Sequence, residues 1–283
     1  HDPLRRQRQM CIRDSHWRRR TDGTGLMLLA FDIGNTNIVA ALYDGDRQTG
    51  LWRFASDTGL SETAYQALLA DSLGDAAKTV DGVIIASVVP RLTPLVQSAA
   101  QCLFSCTAMV VGSADLDLGI QVNIDQPEQA GADRLVNAVG AKASHSLPAI
   151  ILDFGTATTL DLIAADGAYE GGIIAPGVNL SVEALERAAA QLPRLEVRPW
   201  ADDLPILGKN TVSAMESGVF WGYVSMIDGL LTRLRGQYGK SLPAIATGGL
   251  ASLFAVHVSG ITMVDPDLTV KGLVEIHARN RRN

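Results

Sequence analysis

From Met27 onward, short apolar runs alternate with longer stretches in which apolar residues recur at helical spacing. This alternation of strand and helix patterns is typical of an α/β fold. The runs LLAFDIG, NIVAALYDG and GLWRFAS predict three strands, and VDGVIIASVV and AMVVG predict two more. The first two strands are separated by a short glycine-containing turn, so they are expected to pair directly.

Helical spacing and capping residues predict the helices that connect these strands. An amphipathic helix is predicted over Ser61–Leu73 with Ser61 as its N-cap, and Pro90 is predicted to start the next helix. The run LVNAVGAKA predicts a helix that begins at Gly131–Arg134. Later helices are predicted over the alanine-rich Ala184–Ala190, ended by Leu192 and Pro193, and over the long apolar stretch Ala214–Leu234, where Trp221 and Tyr223 indicate a core or a dimer interface.

The chain contains an internal sequence repeat. The segment LLAFDIGNTNIVAALYDG at Leu28–Gly45 is matched by AIILDFGTATTLDLIAADG at Ala149–Gly167. Each has an apolar run, Asp-x-Gly, small polar residues, and a second apolar run that ends in Asp-Gly, which favours a tight hairpin turn. The repeat predicts a duplication, with two halves that face each other across a cleft.

The two Asp-x-Gly loops carry candidate phosphate-binding chemistry. Glycine lets the backbone approach a ligand, and free N–H groups with short polar side chains suit phosphate oxygens. A carboxylate cannot bind phosphate directly, so each loop needs a cation, and magnesium with its water shell fits beside a nucleotide. Read alone, either loop is equally a strand-ending turn with capping residues. The candidate residues are Asp32, Gly34, Asn35, Thr36 and Asn37 in the first loop, and Asp153, Gly155, Thr156, Thr158 and Thr159 in the second.

Two further motifs fit phosphoryl transfer. Gly131–Arg134 (GADR) places a carboxylate and a guanidinium side by side at a helix start, where a phosphoryl transfer could use a base and a compensating charge. Helix-end electrostatics explains the same aspartate equally well. Thr247–Gly249, after the strand PAIA, predicts a turn of close backbone approach. The sequence has no P-loop and no protein-kinase motif, so any phosphate chemistry uses another architecture.

Composition narrows the class of protein. The 283 residues are 47% apolar and suffice for two domains, and no apolar run approaches the ~18 residues of a membrane span, so we expect a soluble protein. A net charge of −6 argues against nucleic acid as the main ligand. Three cysteines are too few for a disulfide framework and indicate the reducing cytoplasm. Cys102 and Cys106 are predicted to share a helix face, without completing a zinc site.

The first 26 residues differ from the rest of the chain. They contain seven Arg and three Asp, and they show neither strand nor helix periodicity. A basic arm that binds nucleic acid or an anionic membrane is one interpretation. We favour a disordered or non-native leader, with Met27 starting the first strand, and expect its deletion to leave activity unchanged.

Seven motifs together resemble those of type III pantothenate kinases, in the same order. The resemblance runs from Met27 to about Leu273; DIGNTN alone is shared more loosely across the acetate kinase, sugar kinase, Hsp70 and actin superfamily. The motifs are DIGNTN (Asp32–Asn37), GADR (Gly131–Arg134), DFGTATT (Asp153–Thr159), EGGIIAPG (Glu170–Gly177), GKNTVSAMESG (Gly208–Gly218), TGG (Thr247–Gly249) and DPDLTVKGL (Asp265–Leu273).

The resemblance implies a duplicated RNase H-like (actin-like ATPase) fold, with two halves around an ATP cleft, at residues 27–147 and 148–283. It implies ATP-dependent phosphorylation of the terminal hydroxyl of pantothenate to 4'-phosphopantothenate, the first step of coenzyme A biosynthesis. The enzyme would be a cytoplasmic homodimer whose acceptor site is completed at the subunit interface, with no nucleic-acid or membrane partner.

The resemblance also implies roles for individual residues. Asp133 matches the general base, Asp153 the ligand of a monovalent cation, K⁺ or NH₄⁺, and Asp32 would hold Mg-ATP through water. The ATP- and phosphate-binding residues would be Asp32, Ile33, Gly34, Asn35, Thr36, Asn37, Ile38, Val39 and Thr156. The substrate-binding residues would be Gly131, Ala132, Asp133, Arg134 and Thr211.

The sequence departs from the family pattern at Ile124, where many members have Tyr. Loss of one hydrogen bond there, worth ~0.5–1.5 kcal/mol, affects the pocket rather than the reaction. Two alternatives remain open: a kinase of the same superfamily that acts on a sugar or short carboxylate, and a non-catalytic transcriptional accessory factor. The retained Asp32, Asp133 and Asp153 favour an enzyme.

Overall fold

The computed structural model describes residues 26–188, 193, 195–201 and 204–281, which divide into two compact units. The first unit contains the described residues up to Gly119, Glu128–Ala143, and those from Thr269 onward. The second contains Ile120–Pro127 and Ser144–Leu268. The predicted leader, apart from Leu26, and the helix end predicted at Leu192 lie outside the described residues. The predicted division at residues 147 and 148 stays a prediction.

Each unit is built around one five-stranded sheet. The strands of the first sheet are β1 (Met27–Ile33), β2 (Asn37–Asp44), β3 (Arg47–Ala55), β4 (Gly82–Ser87) and β5 (Met109–Val110). Those of the second are β6 (Ala149–Phe154), β7 (Ala157–Ile163), β8 (Tyr169–Pro176), β9 (Ala244–Thr247) and β10 (Met263–Val264). The five strands predicted for the first sheet are therefore confirmed.

The two sheets have the same topology. Their strand orders are β3-β2-β1-β4-β5 and β8-β7-β6-β9-β10. In each, the first three strands pair antiparallel, and the last two continue parallel to the first strand. The Asp-Gly hairpin turns are also repeated, with Gly45 at φ +58° and Gly167 at φ +89°, conformations that favour glycine. The duplication predicted from the sequence repeat is confirmed.

The helices of the described chain are α1 (Glu62–Leu73), α2 (Thr93–Phe104), α3 (Ala132–Ser144), α4 (Val178–Ala188), α5 (Thr211–Tyr238), α6 (Ala251–Phe254) and α7 (Leu268–Arg281). Ser61 caps α1 as predicted, because its hydroxyl accepts a hydrogen bond from the backbone N–H of Ala64. The long helix predicted over Ala214–Leu234 lies inside α5. The alanine-rich helix is confirmed as far as Ala188, and its last predicted residues lie outside the described chain.

Two sequence predictions around α2 are wrong. Pro90 lies in a turn before the helix, where the N–H groups of Leu92 and Thr93 both bond to the carbonyl of Val89. The proline of the first helical turn is Pro94, since α2 begins at Thr93. The helix then ends at Phe104, because Ser105 adopts a left-handed conformation at φ +54°. Cys106 therefore lies beyond the helix and does not share a face with Cys102.

Each sheet packs one face against helices to form a hydrophobic core. In the first unit, Phe31 and Ile33 of β1 pack with residues of α1 and α2 such as Tyr65 and Val96. In the second unit, Leu152 and Phe154 of β6 pack against α5. The central strands β1 and β6 are thereby fixed, and so are the loops that follow their carboxyl ends. Within the described chain, the structure has no helix that is both long and apolar enough to span a membrane.

Candidate active site

The first phosphate-binding candidate is the tight turn between β1 and β2. The N–H of Gly34 donates to the carbonyl of Asn37 over 2.9 Å. Ser56, directly after β3, supports the turn, because its hydroxyl donates to the Gly34 carbonyl and its N–H donates to the Thr36 carbonyl. Asn35 and Thr36 are exposed at the tip of the turn. The hydrogen bonds from Ser56 therefore fix the turn, and the tip of the turn is exposed to solvent.

The side chains of this first loop divide between the two faces of the sheet. Ile33 and Ile38 are buried in the core, so they could offer a ligand only backbone atoms. Asp32 and Val39 lie opposite each other on β1 and β2, on the face away from that core. Asp32 is half-buried there, beside Ala86 of β4.

The second loop, Gly155–Thr156, connects β6 to β7 and is exposed. Gly177, which precedes α4, packs against it so closely that a Cβ atom would lie 2.2 Å from the Thr156 carbonyl oxygen and 2.8 Å from that of Gly155. Only glycine fits at this position. The close approach brings the N-terminus of α4, the positive end of its dipole, against the loop, an arrangement suited to an anion.

Asp153 lies at the carboxyl end of β6, between two threonines of the neighbouring strands. It pairs with Thr159 of β7 and with Thr247 of β9. The turn after Thr247 then approaches the carboxylate: Gly248 has φ +90°, and a Cβ atom on it would lie 2.5 Å from Asp153 Oδ1. The close-approach turn predicted at Thr247–Gly249 is confirmed, and what it approaches is the Asp153 carboxylate.

Tyr223 of α5 places its phenol beside β7. Its hydroxyl is hydrogen-bonded to the hydroxyl of Thr158, the neighbour of Thr159 on β7. Burial, with the negative charge of Asp153 as a smaller contribution, raises the pKa of Tyr223 to about 12. The phenol therefore stays protonated at neutral pH. The sequence indicated only a core or interface position for this residue.

Asp161 is a buried carboxylate that the sequence analysis missed. It is fully buried on β7, where it accepts hydrogen bonds from the Tyr169 hydroxyl at 2.9 Å and from the Thr159 hydroxyl at 3.0 Å. A buried charge requires such partners. The only signal in the sequence is an acidic residue between apolar residues of the strand, in LDLI.

Tyr169 links this carboxylate to the segment that carries Ile124. Its N–H donates to the carbonyl of Gln121, and its carbonyl accepts from the N–H of Asn123, both over 2.8 Å. A Cβ atom on Gly171 would lie 3.3 Å from Ile124 Cγ2. The position at which this chain departs from the family pattern is therefore packed against β8.

The GADR motif forms the first turn of α3, as predicted. Asp133 Oδ1 accepts a hydrogen bond from the backbone N–H of Arg134 over 2.8 Å, and both residues are half-buried. Gly131 leaves room for this carboxylate, since a Cβ atom there would lie 2.6 Å from Asp133 Oδ1. The helix is fixed from the side by α7, whose Gly272 has no room for a Cβ atom against the Val136 carbonyl.

Thr211 is exposed in the first turn of α5. The preceding Asn210 caps that helix reciprocally with Ser213, and Gly208 packs directly on the first turn. Thr211 lines a largely apolar cavity of about 610 Å³ in the second unit. The other lining residues are Val178, Ser181, Leu185, Ala214, Met215, Gly218, Val219, Gly222, Tyr223 and Met226.

The structure thus groups the predicted residues within each unit. Asp153, Thr156 and Thr247–Gly249 gather at the carboxyl ends of β6 and β9, and Thr211 lies at the start of α5. In the first unit, Asp32–Val39 surrounds the carboxyl end of β1, and Asp133 begins α3. Carboxyl ends of strands are where open α/β sheets bind ligands.

Solved structures share this architecture. A Baf family protein from Campylobacter jejuni, named as a transcriptional activator, aligns with a TM-score of 0.57 at 18% identity, covering 90% of this chain and 100% of its own. MreB5 of Spiroplasma citri bound to AMPPNP aligns with a TM-score of 0.51 at 12% identity, covering 92% and 98%. The chain has the duplicated RNase H-like, actin-like ATPase fold, as predicted.

Sequence comparison identifies the family. Residues 28–233 match the family model described as type III pantothenate kinase. The type III pantothenate kinases of Paramagnetospirillum magneticum and Caulobacter vibrioides are 47% and 46% identical over 258 residues, which is 90% of this chain and 98% of each relative. The chain belongs to the type III pantothenate kinase family.

We expect Gly177→Ala to weaken ATP binding. The added methyl group overlaps the carbonyls of Gly155 and Thr156 and forces the second loop away from α4, at a strain of about 1–3 kcal/mol. The KM for ATP should rise about fivefold to a hundredfold, since each ~1.4 kcal/mol is a factor of ten. Steady-state kinetics measures this change. The matched control is Gly236→Ala on α5, where a Cβ atom meets nothing within 4 Å. An unchanged KM in Gly177→Ala would contradict a role for this loop.

Proposed function

We propose that this chain transfers the γ-phosphoryl group of ATP to the terminal hydroxyl of pantothenate, forming 4'-phosphopantothenate and opening coenzyme A biosynthesis. The observation that carries this proposal is the similarity to type III pantothenate kinases over nearly their whole length, with Asp133 and Arg134 in place at the start of α3. The enzyme is a kinase that uses ATP with a divalent metal ion.

The two strand-ending loops are suited to the phosphates of ATP. Backbone N–H groups and the short side chains of Asn35, Thr36 and Thr156 would bind the phosphate oxygens, with the N-terminus of α4 supporting the second loop. When bound, magnesium neutralises charge on the transferring phosphoryl group. Asp32, half-buried at the end of β1, would hold the ion through a water molecule.

Asp133 would act as the general base. The hydrogen bond from the Arg134 N–H orients the Asp133 carboxylate. The N-terminus of α3 stabilises the negative charge of this carboxylate before it accepts the proton. As the pantothenate oxygen bonds to phosphorus and the bond to ADP breaks, Asp133 takes the hydroxyl proton, which later passes to water. Arg134 supplies positive charge beside the reacting groups.

We expect Asp133→Asn to abolish turnover while leaving ATP binding intact. The amide oxygen can still accept the Arg134 N–H, so the helix start is preserved, but the amide cannot take a proton. The kcat should fall about 10²–10⁴-fold. The dissociation constant of ATP, measured by calorimetry, should change by less than about threefold because no ATP contact is altered.

The matched control is Asp75→Asn, which removes an exposed carboxylate from the first unit. It should leave both quantities unchanged. Full activity in Asp133→Asn would refute the assignment of the base.

Asp153 would bind a monovalent cation, K⁺ or NH₄⁺, as the family resemblance implies. The residues fit such an ion, because the carboxylate lies beside the buried hydroxyl of Thr247, and both are hard oxygen donors. A single carboxylate also balances a single positive charge. Asp153 and its neighbours would hold the ion next to the second phosphate loop.

The relatives favour pantothenate as the acceptor over a sugar or a short carboxylate. Both relatives described above are named for pantothenate, and the similarity spans the GADR and GKNT segments. The likeness to a Baf family protein concerns the fold alone. The net charge of −6 supports a function without a nucleic-acid partner, and the thiols of Cys102 and Cys106, which form no disulfide, support a cytoplasmic enzyme.

A homodimer is supported by exposed apolar side chains of the second unit. They belong to α4, the segment before α5, and the start of α5. Exposed apolar surface favours association. The residues, with exposed fractions, are Leu180 (41%), Leu185 (36%), Leu204 (51%), Ile206 (65%), Leu207 (73%) and Val212 (41%).

We expect Leu207→Glu to convert a dimer into a monomer. The substitution places a charge among these apolar side chains, where it would be desolvated on association. Light scattering after gel filtration measures the mass. The control is Val256→Glu, which alters an equally exposed apolar residue outside this set. A monomeric wild type, or an unchanged mass in Leu207→Glu, would contradict the proposed dimer surface.

A further inference from the structure

Thr247 presents a buried hydroxyl that lacks a hydrogen-bond partner. The residue ends β9 and is 1% exposed. Among the described residues nothing within hydrogen-bond distance satisfies its Oγ1 atom. A buried polar atom without a partner costs about 1–3 kcal/mol, and native structures nearly always supply one. The unsatisfied hydroxyl therefore indicates a group that binds from outside the chain.

The strand register shows which residue this hydroxyl accompanies. β9 runs parallel to β6, and Thr247 is the direct neighbour of Asp153. Directly paired residues of adjacent strands project from the same face of a sheet. The face in question is the one opposite the core, since Phe154, the residue after Asp153, is a core residue. Thr247 and Asp153 therefore line the same site.

The turn after Thr247 encloses this site. Gly248, at φ +90°, passes so close to Asp153 that a Cβ atom would lie 2.5 Å from Oδ1. Thr159 flanks the carboxylate on the other side, on β7, and donates its hydroxyl to Asp161. The Thr159 hydroxyl already donates its proton to Asp161, whereas the Thr247 hydroxyl makes no hydrogen bond.

The chemistry of the pair favours a monovalent cation. A carboxylate and a neutral hydroxyl offer hard oxygen atoms with one negative charge in total, which suits K⁺ or NH₄⁺. Ca²⁺ takes six to eight oxygen ligands, several of them carboxylates, and no group of three or more His, Cys, Asp or Glu that could bind a metal occurs in the described parts of the chain. A bound cation would accept an electron pair from the Thr247 oxygen and offset the negative charge of the Asp153 carboxylate.

We propose that Thr247 Oγ1 is a second protein ligand of the monovalent cation that Asp153 binds. The proposal rests on the proposed cation site at Asp153 and assigns a further residue to it. Thr247 connects the cation to the Gly248 turn, so occupancy of the site stabilises the position of that turn against Asp153.

Two variants separate the hydroxyl from the shape of the side chain. Thr247→Val has the same shape without the oxygen, and Thr247→Ser keeps the oxygen. The primary measurement is the thermal unfolding midpoint of the full chain, without ATP or pantothenate, in KCl or NH₄Cl against choline chloride at equal ionic strength. A ligand that binds the native state raises the midpoint with concentration, so the titration yields a half-saturating cation concentration.

The wild type should be stabilised by K⁺ or NH₄⁺, and Thr247→Val should raise the half-saturating concentration about tenfold, as expected for loss of one ligand worth ~1.4 kcal/mol. Thr247→Ser should stay within about threefold of the wild type, a difference below ~1 kcal/mol. The concentration of K⁺ that half-activates turnover should shift in parallel. The cation-dependent shift, rather than the absolute midpoint, is the readout, since valine can change stability by itself.

Asp153→Asn distinguishes the possible failures. If it removes the K⁺ effect while Thr247→Val leaves the half-saturating concentration unchanged, Thr247 is not a ligand and the Asp153 site stands. If K⁺ and NH₄⁺ affect neither the wild-type midpoint nor its activity, the cation site itself is refuted, and phosphorylation of pantothenate remains testable through Asp133. If Thr247→Val raises only the KM for ATP, the hydroxyl serves the nucleotide and the proposal is overturned.

Discussion

The structure depends on one constraint, the tight turn that ends the central strand of each sheet. β1 and β6 are packed on one face by a hydrophobic core and paired on both edges, so the chain leaves each strand at a fixed point. The turns at Gly34 and Gly155 reverse it within a few residues, keeping an aspartate at the strand end beside exposed backbone donors. Gly177 then brings the start of α4 against the second turn, and Gly248 brings a further segment against the end of β6, both at distances that admit no side chain.

This constraint explains how an acidic chain can use anionic ligands. The net charge of −6 repels phosphates at long range, so attraction has to come from local backbone N–H groups, a helix N-terminus and bound cations. In the proposed function, the carboxylates of Asp32 and Asp153 would each hold a cation beside a loop that binds phosphate. Asp133 differs from them, since its proposed role requires a carboxylate that can accept a proton.

Much of the fold is predictable from the sequence because its signals are local. Apolar runs, Asp-Gly turns and the Ser61 cap identify the strands, hairpins and first helix. The sequence repeat between Leu28–Gly45 and Ala149–Gly167 identifies the duplication. The sequence does not place Pro90 correctly, because a turn before a helix and a helix start have similar local composition. The roles of Asp161 and Thr247 depend on which residues face each other across strands, and that register is a tertiary property. A lone threonine before two glycines carries no sign that its hydroxyl is buried and unsatisfied.

Phosphorylation of pantothenate is tested by measuring ADP release with purified protein, ATP and magnesium, with pantothenate, a hexose or acetate as acceptor, each with and without K⁺. We expect rapid ADP release with pantothenate only, and dependence of that activity on K⁺ or NH₄⁺. Turnover of a hexose or acetate at a comparable rate, or no ADP release with pantothenate in the presence of K⁺, would contradict it.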